Sequence, residues 1–188
     1  MVIIPRWAKI AASVALALAI YNGIVTVPVA LARKDESGIT MVAYRRWLVD
    51  PTTAVVDIWH VNGQASMADV DRNLYLTADA LKDQHFTSVE LAYRGRGRFL
   101  INGDKFNEIG QQWRSQSVMY LVTALTSSAT DLTGKPAFET WEGGWIGVMS
   151  RQLQDHNQLH WSWYLADMSG ADPNSPIPET SGGASLAP

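Results

Sequence analysis

The chain of 188 residues contains no cysteine. Disulfides, thiol nucleophiles, iron–sulfur clusters and thiolate zinc sites are therefore excluded. Charge of either sign is also scarce: the formal net charge is −3 at pH 7, so no global field favours nucleic acid, and none is expected as a partner. Glycine patterns with a known mechanism are missing as well. No G-x-x-x-x-G-K, no G-x-G-x-x-G and no G-x-S-x-G occurs, which removes the phosphate loop, the dinucleotide fingerprint and the nucleophile elbow.

The most informative absence is local. Residues 10–32, IAASVALALAIYNGIVTVPVALA, carry no charge at all. As a helix this run would be about 34 Å long, enough for a hydrocarbon core of about 30 Å. Arg6 and Lys9 give it a basic leading tail, and Ala30-Leu31-Ala32 after Pro28 resembles a small-x-small cleavage site. The run is longer than the roughly 7–15 residues of a signal core, so an uncleaved single-pass anchor is favoured. The positive-inside count, with Arg33, Lys34, Arg45 and Arg46 following the run, would keep the body in the cytoplasm. A short basic tail ahead of a long domain is the layout of an exported one, and long domains cross largely regardless of charge. The expectation is a bacterial cytoplasmic (inner) membrane protein with its main domain on the periplasmic side.

Five segments follow: a basic tail (1–9), the transmembrane helix (10–32), a polar linker (33–38), an α+β domain (39–169) and a disordered Pro/Gly/Ser-rich tail (170–188). Within the domain, residues 39–49 are apolar around the pair Arg45-Arg46, and residues 52–61 read as a strand because they are β-branched and aromatic. Ser66 can cap a helix over residues 67–84. There Met67, Val70, Leu74, Ala78 and Leu81 form the apolar stripe, and Asp71, Arg72, Asp79 and Lys82 are placed on the surface. Residues 86–93 and 98–101 are strand-like. Asn102 opens a short helix over 106–113, and residues 118–125 fit a strand or a helix equally. Residues 130–144 read as loop, and a last helix spans about 145–168. This order predicts a mostly antiparallel sheet with helices on one face.

Three groups of residues are candidates for chemistry. Arg94, Arg96 and Arg98 would share one face of an extended strand and bind an anion or acidic partner, or Arg94-Gly95-Arg96-Gly97 would form a hairpin turn with solvated arginines. The turn is favoured, and a turn can still present its arginines to such a partner. His156 and His160 are four apart on the last helix and share a face, but a useful metal site needs a third ligand. Asp155 points about 100° away on a helix, and Glu142 and Asp57 cannot be placed. No metal and no cofactor is therefore expected, with both histidines at the edge of the apolar stripe bonded to backbone or solvent. Asp57 and His60 lie on one strand without a nucleophile. Among the aromatics near the last helix, Trp145 and Trp163 are expected in the core, and Trp161, off the stripe, is expected to meet a partner.

Two functions from different classes are compatible with these features. The first is a membrane-anchored, non-catalytic interaction protein, an accessory or assembly subunit of an envelope complex, with membrane lipid and protein partners. The alternative is a membrane-tethered enzyme or small-ligand-binding domain using residues 94–98 or the pair His156/His160.

Overall fold

A computed structural model describes residues 5–178. Residues 1–4 of the basic tail and 179–188 of the C-terminal tail lie outside the described residues. The fold is α+β: a long apolar N-terminal helix, a five-stranded mixed sheet and helices against it.

Helix α1, Arg6–Ala32, is long and apolar enough to cross a membrane. It begins four residues earlier than the uncharged run, because Arg6 to Lys9 can join a helix whose start is marked by Pro5. Its two halves have different surroundings. Trp7, Ile10, Val14, Leu16 and Ile20 are exposed, whereas Asn22, Val25 and Val29 are buried against the domain. Val25 and Val29 join the core, each worth about 2 kcal/mol of apolar burial. Polar contacts fix the same half. Asn22 donates to the Leu48 carbonyl at 2.8 Å and accepts from the Arg45 amide at 2.9 Å, and Thr26 donates to the Ala43 carbonyl at 2.7 Å. The polar segment 33–38 is tied to the domain. Arg33 is buried, donating to Asn73 and to the carbonyls of Ile39 and Met41, while Glu36 pairs with Arg72.

The strands run β1 (Ile39–Arg45), β2 (Thr53–Val61), β3 (Ser88–Tyr93), β4 (Arg96–Asn102) and β5 (Ala129–Thr130), in sheet order 1-2-3-4-5. The sequence does not mark β1 as a strand. It alternates Ile39, Met41 and Ala43 inward, a period of two that its basic pair obscures. Three of the pairings are antiparallel and β2–β3 is parallel. A parallel pair needs a crossover, which α2 (Met67–Leu81) supplies. Ser66 caps α2 in a reciprocal box with Asp69, the Asp69 amide donating to Ser66 Oγ and the Ser66 amide to the Asp69 carboxylate.

Helix α3 (Gly103–Gln112) starts at Asn102, whose side chain accepts from the amides of Asp104 and Lys105. It crosses α2 so closely that a Cβ on Gly110 would lie 2.3 Å from the Ala78 carbonyl oxygen. The ambiguous segment is helix α4 (Val118–Ser128), capped by Ser117, with Leu121 and Leu125 in the core. The chain ends in α5 (Trp145–His160), a π-helical turn (Trp161–Leu165) and α6 (Ala166–Ser169). One sheet face, with Ala54, Val56, Ile58, Val89, Leu91, Phe99 and Ile101, packs under the helices. Tyr44, Val55, Glu90 and Gly97 line a cleft of about 390 Å³ on the other.

Candidate metal centre

Helix α2 is buried over more of its circumference than its apolar stripe implies. Asp71, placed on the surface from sequence, is buried, as are Asn73, Tyr75 and Thr77. Asp71 faces the end of α5, where His156 and His160 project from one side one turn apart. The His156 Nε2 lies 2.9 Å from Asp71 Oδ2, and the His160 Nε2 lies 2.9 Å from Asp71 Oδ1. The two Nε2 atoms are 3.1 Å apart. Three potential ligand atoms from two helices thus converge on one point.

The expectation that both histidines bond backbone or solvent is corrected: they are buried, and they meet Asp71. The third ligand that the sequence did not reveal comes from a helix 85 positions away from His156. Its only visible signal was an acid at 71 beside Val70, with Tyr75 four residues on and Leu74 between them.

The surroundings fix this geometry. His160 Nδ1 lies 3.2 Å from the Tyr164 hydroxyl, and the two rings meet edge-on at 82°. Trp163 donates its indole N–H to the Ala92 carbonyl at 2.8 Å, which pins the π-helical turn to β3. Burial pushes the Asp71 carboxyl up, but hydrogen bonds from His156 and His160, and then their charges, outweigh it and hold it at about 2. Burial, and then the Asp71 charge, push the Tyr75 phenol above its ordinary range, so it stays a neutral O–H. That hydroxyl is buried and has no hydrogen-bond partner among the described residues. A cluster of this kind can share a proton or hold a cation.

The other candidates disperse. Arg94 and Gly95 are the two central residues of a hairpin turn between β3 and β4, both at positive φ. The favoured turn is therefore present, and it presents Arg94 and Arg96 to solvent. Arg94 donates to the Trp59 carbonyl, and Arg98, near a bulge in β4, pairs with Asp167 of α6. Arg96 shares a small cleft with Tyr93, Arg94 and Asp167. Asp57 is fully buried and accepts from the Tyr44 hydroxyl and the Gly95 amide, holding the hairpin to the sheet, while His60 is exposed. Of the tryptophans, Trp163 is buried as expected. Trp145 is 72% exposed and Trp161 only 9%, the reverse of the expectation.

Together these features define a class: a small α+β domain keyed to an apolar helix, with a closed two-histidine, one-carboxylate cluster. No protein-family model, curated protein or solved structure matches the chain.

Proposed function

We propose that the protein is a membrane-anchored, non-catalytic interaction protein, an accessory or assembly subunit of an envelope membrane complex, with its domain on the exported side. The observation that carries this reading is the split of α1. Its N-terminal half presents apolar side chains on all sides, while one face of its C-terminal half, with Val25 and Val29, is part of the domain's core and Ile24, Val27 and Leu31 stay exposed on the other. Removing residues 1–32 would strip Val25 and Val29 from that core and orphan the Arg45 amide, which supports retention of the segment over its cleavage as a leader.

Other features point the same way. Trp47, Leu48 and Val49 are exposed on the tight turn that Asn22 holds, with Arg45 and Arg46 beside them. Trp47 and Leu48 both take positive φ, so this apolar tip is held in a conformation that the backbone alone disfavours. Aromatic and basic residues at one level suit a membrane–water interface. Trp145, Ile146 and Leu153 leave the start of α5 with an exposed apolar flank, the composition of a protein contact.

Gentle detergent extraction of the full chain, followed by intact-mass analysis, tests the proposal. The expected result is a chain that keeps residues 1–32 and travels with other subunits. A mature chain starting at Arg33 would end the anchor reading. A solitary chain carrying a small organic ligand would favour the ligand-binding alternative.

A further inference from the structure

We propose that Asp71, His156 and His160 form a closed site for one divalent first-row transition-metal ion, most simply zinc, which clamps α5 to α2. This goes beyond the anchoring function and does not depend on it.

Donor geometry is the first argument. Metal–ligand bonds of about 2.0–2.2 Å put neighbouring donors about 2.9 Å apart at right angles and about 3.4 Å apart at tetrahedral angles. The three separations here, 2.9, 2.9 and 3.1 Å, fall in or beside that interval without rearrangement. The short distance between the two Nε2 atoms is the telling one. With a proton on each nitrogen, two N–H dipoles lie side by side; with one proton, a bare lone pair faces the carboxylate. A cation between the three atoms turns every one of these contacts attractive.

The isolation of the cluster is the second argument. Asp71 is buried, and among the described residues the two imidazoles are the only groups within ion-pair distance of it. Arg72, its neighbour in sequence, pairs instead with Glu36.

The outer contacts complete the pattern. Metal-binding histidines characteristically bond through their second nitrogen to a fixed partner, and Tyr164 occupies that place for His160. The unpartnered Tyr75 hydroxyl lies one helical turn beyond Asp71 and is a candidate fourth donor, directly or through a bound water. Two imidazoles select zinc, iron, cobalt, nickel or copper over magnesium and calcium. Burial of all three donor residues assigns the ion a structural role.

The test uses the full chain in detergent, made without a histidine tag, stripped with a chelator and reloaded with Zn²⁺ alone or Co²⁺ alone. One equivalent should survive desalting, the melting temperature should rise on reloading, and Co²⁺ should give the visible absorption of a low-symmetry nitrogen–oxygen site. Asp71→Asn and His156→Asn should abolish stoichiometric binding, and Tyr164→Phe should weaken it by about 10- to 100-fold. The double substitution of the exposed His60 and His85 by Ala should leave it unchanged. Loss of binding in that double variant, or a wild-type chain that retains neither ion and melts identically with and without them, overturns the proposal. The wild-type reloading decides the question even where a ligand variant fails to fold.

Discussion

The hairpin at residues 94–98 and the helix end at residues 156–160 both gather like groups on a short stretch. They differ in what lies across from them. The hairpin tip faces solvent, and its arginines find separate partners: a carbonyl for Arg94, Asp167 for Arg98. The helix end faces another helix, and both imidazoles find the same carboxylate. Spacing within an element sets which side chains lie side by side; a packed neighbour decides whether they act together. A cluster at a surface has water as its default partner, whereas a buried one must be completed by the protein or by an ion.

The largest expected break in this contrast comes from Asp71→Ala. Removing one member of a buried charged network costs about 3–5 kcal/mol, which denaturant titration of the full chain would read. Replacing Asp71, His156 and His160 together by Leu should cost less than Asp71→Ala alone, because no orphaned polar group remains. A triple variant weaker than the single one would refute that account. The hairpin side should respond less. Arg98→Gln loses a largely shielded ion pair to Asp167 and should cost about 1 kcal/mol, visible as a few degrees of melting temperature. The smallest change has the opposite sign. Arg94 holds a positive φ of 50° ahead of Gly95, so Arg94→Asn should stabilise the turn by up to about 1 kcal/mol. A loss of stability there would mean that the contact with the Trp59 carbonyl matters more than backbone strain.

Local signals in the sequence were strong enough for some elements and silent for others. The uncharged run, the Ser66 and Asn102 caps, strand β2 and the hairpin at Arg94-Gly95 each follow from chemistry within a few residues. β1 did not, since Arg45-Arg46 interrupts its alternation, and two-residue β5 is too short to leave a pattern. The parallel pairing of β2 with β3 is a property of the crossover, which no local window contains. Trp145 and Trp161 exchanged expected roles for two reasons. The start of α5 has the apolar spacing of a packed helix but lies beyond its neighbours. Trp161 directly follows the buried His160, where the helix enters the packed π-helical turn with Trp163 and Tyr164, and is buried with them. Asp71 was hidden because an acid in an amphipathic helix reads as surface until the facing helix is known.

The keyed half of α1 has a mechanical consequence. With Asn22, Thr26 and Arg33 bonded into the domain and Glu36 tied to Arg72, the chain has no elbow between its helix and its body. Helix and domain turn as one piece. The free part of the helix, residues 6–21, rises only about 24 Å, so membrane insertion as proposed above would draw the Trp47–Val49 tip to the surface beside it. A helix that tilts to match membrane thickness would therefore swing the whole domain with it, like a mast stepped into its deck, and the far end at α5 would travel furthest.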